Sequence, residues 1–138
     1  MNIAWIPILA AAIASWIFGA LWYGVLSRQW MAAAGFAHSD LTGPGGKPKT
    51  PVVAMMISFA AEFVMALILA GVIAHTAKKG VTISSGALVA AICWLGFVMT
   101  TLVTNHAYSK VKPALTLIDG GHWLGVLLIQ GIVLGALL

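Results

Sequence analysis

Four long apolar stretches, separated by three polar connectors, organise the chain. They cover residues 3–26, 51–76, 83–107 and 113–138. An α-helix rises about 1.5 Å per residue, so about 20 residues cross the hydrocarbon core of a bilayer. None of the stretches alternates apolar and polar residues as a membrane-barrel strand does. The pattern predicts an all-α fold, an integral membrane antiparallel four-helix bundle that forms a single transmembrane domain over residues 1–138.

The first connector, residues 27–50, is the longest and divides into two parts. Residues 28–34, closed by Gly35, predict a short helix at the membrane interface. Glycines and prolines within residues 43–49 predict a turn-rich link. The first apolar stretch lacks the basic start of a signal peptide, so we expect it to be a retained helix.

The composition excludes a soluble protein. Of the 138 residues, 62% are hydrophobic and 7% are charged, whereas soluble domains carry about 25% charged residues. The net charge is +4, but the bases lie in short connectors and form no basic face for a nucleic acid. The expected partner is therefore the lipid bilayer and not a nucleic acid. The single cysteine, Cys93, excludes an intramolecular disulfide and a cysteine-type zinc site.

The basic residues also predict the orientation of the bundle, because positively charged connectors tend to stay in the cytoplasm. The first and third connectors share one side of the membrane, and the second lies on the other. The bases divide five to two between these sides, with Arg28, Lys47, Lys49, Lys110 and Lys112 against Lys78 and Lys79. We therefore expect the first and third connectors in the cytoplasm and both termini on the opposite side.

Sequence position in antiparallel helices converts to depth in the bilayer. Measured from the first and third connectors, Glu62 lies about 16 Å deep, and His122 and Trp16 about 14 to 15 Å deep. An acid at this depth costs about 2.5–3.5 kcal/mol on insertion scales, so Glu62 is expected to face the bundle interior. Its expected partner is His122, with the indole N–H of Trp16 or Trp123 as a second donor. Asp119 shares a helix face with His122, which predicts an acid–histidine–acid string.

These polar residues have structural as well as functional interpretations. Glu62 is either a hydrogen-bonding link between helices or a group that binds a proton or a ligand. For Asp119 and His122 the structural role is favoured. Asn105 is expected to join the same intramembrane polar cluster and to hydrogen-bond between helices or to nearby backbone. Helical metal sites usually repeat a Glu-x-x-His pair, and only Asp119-x-x-His122 occurs in this chain. We predict no catalytic residue, no metal and no cofactor.

Small residues recur at helical spacing in the fourth stretch, as Gly121-x-x-x-Gly125 and Gly131-x-x-x-Gly135. Small residues let helix backbones approach closely in lipid. Packing within one chain is one interpretation of such stripes. A spare glycine face on the fourth helix predicts self-association or docking to a larger membrane-protein complex.

Several short motifs resemble one known family. The first stretch closes with Gly19-Ala20-Leu21-Trp22-Tyr23, Trp30 follows, and the third stretch contains Trp94-Leu95-Gly96-Phe97 and Asn105. Together they resemble a bacterial four-helix membrane family catalogued as domain of unknown function 1761, over nearly the whole chain. The family commonly has Ser-Pro after the Trp-Tyr pair, where this chain has Gly24-Val25. The resemblance implies a bacterial cytoplasmic (inner) membrane, and it implies no activity, cofactor or substrate. In such a membrane the count of basic residues predicts both termini in the periplasm.

Three hypotheses for the function follow. The first is a non-enzymatic bundle that associates, as a homo-oligomer or as an accessory subunit of a larger membrane complex. The alternative is a small proton-linked transporter that uses the mid-membrane carboxyl of Glu62, since small transporters commonly bind their substrates at the midplane. An integral-membrane enzyme with a metal or a lipid substrate comes third.

Overall fold

The computed structural model describes residues 4–46, 51–77 and 80–138. The helices are α1 (Trp5–Val25), α2 (Ser27–Ala34), α3 (Val52–Thr76), α4 (Ile83–Ser109) and α5 (Pro113–Leu137). All except α2 are long and apolar enough to cross a membrane. The part of the chain that is described contains no β-strand. The predicted all-α membrane bundle is confirmed, and the protein is a multi-pass membrane protein.

Some predicted features lie outside the described residues. They are the start of the first helix at residue 3 and the bases Lys47, Lys49, Lys78 and Lys79. Within the described part, two 3-10 turns follow α2 in the first connector, at His38–Leu41 and Pro44–Gly46.

Local sequence signals account for the helix ends. Pro113 occupies the first turn of α5. A backbone N–H has no hydrogen-bond partner within the helix at this position, so proline, which lacks one, is well tolerated. Thr82 caps α4, because its hydroxyl accepts from the N–H of Ser85 while the Ser85 hydroxyl accepts from the N–H of Thr82. Gly35 ends α2 in the left-handed conformation, with φ of 78°. These signals set the start of α4 and α5 and the end of α2.

The central helix of the bundle is α5, which packs against α1, α3 and α4. Since α1 also packs against α3, these two helices and α5 enclose a common space. Fully buried alanines, including Ala11, Ala66 and Ala90, let the backbones approach closely at these contacts. The outer faces carry exposed apolar side chains such as Val64 and Phe97, which suit contact with lipid.

One feature of α4 was not predicted, a π-helical segment at Trp94–Met99. A π turn holds one residue more than an α turn and changes the register of the helix faces that follow. The hydroxyls of Thr100 and Thr101 donate to the carbonyl oxygens of Gly96 and Phe97, at 2.9 and 2.6 Å. The two hydroxyls thus supply hydrogen-bond donors to carbonyl oxygens in a region where lipid offers none.

Two of the predicted association glycines, Gly131 and Gly135, contact α4 of the same chain. A Cβ added at Gly131 would overlap the carbonyl oxygen of Gly86 and lie 2.8 Å from the Cβ of Ala90. A Cβ added at Gly135 would overlap the carbonyl oxygen of Thr82. Both glycines are buried, so they let α4 and α5 meet backbone to backbone.

The other two, Gly121 and Gly125, contact α1 of the same chain. A Cβ at Gly125 would overlap the ring of Phe18, and a Cβ at Gly121 would lie 3.0 Å from the ring of Trp22. The prediction of a free glycine face on the fourth spanning helix was therefore wrong. Close packing within the chain uses all four positions, because the two motifs face two different neighbouring helices.

Candidate functional site

A cavity of about 620 Å³ lies between the N-terminal halves of α3 and α5, against the C-terminal half of α1. This volume is within the range of about 300 to 1,000 Å³ that small-molecule sites have. Most of its walls are apolar or aromatic. The lining residues are Trp16, Gly19, Ala20, Tyr23, Trp30, Pro51, Ala54, Met55, Ser58, Glu62, Asp119, His122 and Trp123. The cavity therefore brings together Glu62, His122, Trp16 and Asp119, four residues that the sequence analysis singled out.

Glu62 is held at the inner end of the cavity by residues of α1 and α5. Its side chain is only 2% exposed. The Ser15 hydroxyl donates to its Oε2 at 2.6 Å, and the Gln130 amide donates both to Ser15 Oγ and to the Glu62 backbone oxygen, each at 3.0 Å. Burial inside the bundle agrees with the high energy of placing a carboxyl against lipid. These bonds fix one carboxyl oxygen of Glu62 and tie three helices together.

The other carboxyl oxygen, Oε1, makes no hydrogen bond within the described residues. It lies 3.8 Å from the point where a Cβ would stand on Gly19, and His122 Nε2 lies 2.8 Å from the same point. Glu62 and His122 therefore border a common space that exists because residue 19 has no side chain. Their predicted hydrogen bond is absent, and that pairing was wrong. Ser15 lies one helical turn before Gly19 and reaches the carboxyl instead.

His122 is packed among aromatic rings. Its ring lies 4.7 Å from the ring of Tyr23, 4.8 Å from that of Trp123 and 6.3 Å from that of Phe18, measured between centroids. The residue is 5% exposed, and its Nδ1 is buried without a hydrogen-bond partner among the described residues. Buried polar atoms of side chains are usually paired. His122 Nδ1 is an exception, so this histidine can form a further hydrogen bond.

The indole of Trp16 does not donate to Glu62, which corrects another prediction. Its N–H points to α3, where Met55 O and Ser58 Oγ lie at 3.2 and 3.1 Å. Trp123 also makes no hydrogen bond to Glu62 within the described residues. The Trp16 ring therefore forms part of the cavity wall, while its polar end ties α1 to α3.

Asp119 belongs to a second polar cluster, nearer the end of the bundle that carries the first and third connectors. The Tyr23 hydroxyl donates to Asp119 Oδ1 at 2.8 Å, and His106 Nε2 lies 4.0 Å from Oδ2. His106 Nδ1 and Thr116 Oγ1 are 2.9 Å apart. The predicted string through His122 was therefore wrong, because the histidine beside Asp119 comes from α4. This cluster connects α1, α4 and α5.

Asn105 lies outside the cavity. Its side chain is exposed on α4, six residues beyond the end of the π-helical segment, so the prediction that it joins the polar cluster was wrong. The sequence analysis also missed Gln130, although Gln130 is the only polar side chain between Trp123 and Leu138. That isolation within an apolar run was the signal that could have identified it.

Metal binding finds no support in the described part of the chain. No group of three or more His, Cys, Asp or Glu side chains there could hold a metal ion.

The fold and the cavity define a multi-pass membrane protein with a carboxyl group buried beside a partly open, aromatic-walled cavity. A family model described as "Protein of unknown function (DUF1761)" matches residues 6–135, and the chain belongs to this family. No curated protein and no solved structure matches the chain. The family has no assigned activity.

Proposed function

We propose that the protein is a small proton-linked carrier whose cavity binds a small molecule beside Glu62. The proposal rests on the surroundings of the Glu62 carboxyl. This carboxyl is buried in the bundle and lines a cavity of about 620 Å³, and one of its oxygens has no partner among the described residues. A purely structural carboxyl in a membrane is expected to have both oxygens paired.

The position of Glu62 supports the same function. It lies ten residues after the start of α3, which is about 15 Å along the helix axis. Binding near the midplane is typical of small transporters. The titratable groups that face this region are His122 and Asp119 on α5, Tyr23 on α1 and, behind Asp119, His106 on α4. A proton and a ligand would compete for Glu62, which couples their movements.

The contacts of the four glycines on α5 weaken the association hypothesis. Gly121, Gly125, Gly131 and Gly135 all contact α1 or α4 of the same chain, so packing within the chain accounts for both motifs. Self-association and membership of a larger membrane complex stay predictions.

Replacing Glu62 with glutamine is expected to abolish ligand-driven proton movement. Glutamine keeps the shape of the side chain but neither binds nor releases a proton. The protein is reconstituted into vesicles that contain a pH-sensitive dye, and a panel of cationic, zwitterionic and uncharged amphiphiles is added. Some panel members should move protons through the wild-type protein and fail to do so through E62Q.

Asp40→Asn is the matched control, because the chain has three acids and Asp40 lies exposed in the first connector. It should behave as the wild type. If no panel member moves protons faster through the wild type than through E62Q, the carrier function is refuted.

For the location, we propose a bacterial cytoplasmic membrane with both termini in the periplasm, so that the cavity lies in the cytoplasmic half of the bundle. Of the described bases, Arg28, Lys110 and Lys112 all lie on the cavity side, which is the cytoplasmic side by the positive-inside rule.

Cysteine labelling tests this orientation. With Cys93 replaced by alanine, Ser39→Cys should react with a membrane-impermeant maleimide only after the membrane is opened. Ser84→Cys, at the opposite end, should react in intact spheroplasts. Both serines are exposed, so a reversed pattern would place the termini in the cytoplasm.

A further inference from the structure

The charged groups around the cavity restrict the ligand it can take. Among the described lining residues, Glu62 and Asp119 are acids and none is lysine or arginine. An anion transferred into this part of the bilayer would lack a positive partner and would lose its hydration, which is strongly unfavourable. A cation would meet the free Oε1 of Glu62. The charge pattern therefore favours a positively charged ligand.

The cavity walls fit the same kind of ligand. Four large aromatic rings line the cavity, those of Trp16, Tyr23, Trp30 and Trp123. The Trp16 N–H is already bonded to α3 and the Tyr23 hydroxyl to Asp119, so these two offer mainly ring surface. Ring faces attract cations, and more strongly where water is excluded.

The surroundings of the cavity favour a ligand that dissolves in lipid. A second cavity of about 430 Å³ on the flank of α3 shares Trp16 and Met55 with the first. Its remaining lining residues are the apolar Val52, Met56 and Phe59. Val52 and Met56 are more than half exposed on the face that lipid covers. A hydrophobic molecule in the bilayer would thus reach Trp16 across an apolar surface.

We infer that the ligand is a monovalent, lipophilic organic cation with apolar or aromatic substituents, bound between Glu62 and the aromatic walls. This inference rests on the proposed carrier function and narrows it to one class of substrate. When the cation enters, the O–H bond of the Glu62 carboxyl breaks, its proton leaves to water, and the carboxylate pairs with the cation. One positive charge replaces another, so the exchange conserves charge.

Tetraphenylphosphonium and tetraphenylborate test the inference, because they share size and shape and differ in the sign of their charge. Binding is measured by equilibrium dialysis on the full chain in lipid nanodiscs. After uptake by empty nanodiscs of the same lipid is subtracted, tetraphenylphosphonium should bind at least about tenfold more tightly than tetraphenylborate, which corresponds to about 1.4 kcal/mol. Its binding should release protons and weaken as the pH is lowered.

Variants separate the site from general uptake into lipid. E62Q should bind tetraphenylphosphonium at least about tenfold less tightly, and its remaining binding should not depend on pH. Trp16→Leu should also weaken binding, by several-fold, because one aromatic wall is lost. Trp5→Leu is the matched control on α1, since Trp5 packs on Phe63 outside the cavity, and it should bind as the wild type does.

The outcomes distinguish the ligand class from the carrier function. Glu62-dependent binding of tetraphenylborate that equals or exceeds that of tetraphenylphosphonium, or no Glu62-dependent binding of either ion, would overturn the cation assignment. If an uncharged or zwitterionic amphiphile still drove Glu62-dependent proton movement in vesicles, the carrier function would stand with a different substrate. If no compound of any class drove it, both proposals would fall together.

Discussion

Substituting alanine for Gly131 is expected to destabilise the bundle by about 1–3 kcal/mol, the usual effect of overfilling a packed core. The added methyl group would overlap the carbonyl oxygen of Gly86 and press on the Cβ of Ala90. The Gly86 oxygen belongs to helix backbone, so it cannot move aside by a change of rotamer. Leucine at the same position should prevent folding. The free energy of unfolding, measured by titrating mixed micelles with a denaturing detergent, checks this expectation.

Gly96→Ala is the matched control for this prediction. It lies in α4, where a Cβ would meet nothing within 4 Å, so the substitution should leave stability unchanged or raise it slightly. The same samples also test self-association. If Gly131 served contacts between chains, Gly131→Ala would change the apparent size of the particle and leave the unfolding of the single chain unaltered.

The fold could be predicted because the solvent imposes it. A bilayer leaves no water for unpaired backbone groups, so a long apolar run has few alternatives to a helix. Four such runs, separated by Gly-, Pro- and Lys-containing connectors, define the spanning helices. The π-helical segment at Trp94–Met99 left no mark on the apolar pattern. A π turn differs from an α turn by one added residue. Hydrophobic periodicity does not reveal a change of this size.

The depth of the site residues could be predicted, whereas their partners could not. A residue number fixes height along a helix at about 1.5 Å per residue, and this places Glu62, His122 and Trp16 around one cavity. Rotation about the helix axis decides which side chains actually meet. The sequence contains no direct measure of that rotation, so Ser15 and Gln130 were overlooked as the groups that hold Glu62.

The glycine motifs illustrate the same difficulty. Small residues at every fourth position leave a groove along one helix face. At Gly131 and Gly135 a neighbouring backbone enters this groove, whereas at Gly121 and Gly125 the rings of Trp22 and Phe18 enter it. The spacing did not indicate which helix would occupy the groove. Within this chain, Gly86 on α4 and Phe18 on α1 occupy it.

A methyl group at Gly19 is expected to lower the affinity for tetraphenylphosphonium by about tenfold, or about 1.4 kcal/mol, while the protein stays folded. The Cβ of Gly19→Ala would stand 2.8 Å from His122 Nε2 and 3.8 Å from Glu62 Oε1. The rings of Phe18, Tyr23 and Trp123 pack against the imidazole, so we expect His122 to shift toward the cavity. The displaced ring would then occupy space beside the free carboxyl oxygen.

Gly24→Ala is the control on the same helix, because a Cβ there meets nothing within 4 Å. Both variants gain the helix propensity of alanine, which is worth up to about 1 kcal/mol over glycine. A difference between them therefore reports the space between Glu62 and His122. Dialysis in nanodiscs gives the affinity, and thermal unfolding in detergent shows that each variant is folded. If Gly19→Ala is folded and binds the cation as Gly24→Ala does, the space beside Gly19 is not where the ligand lies.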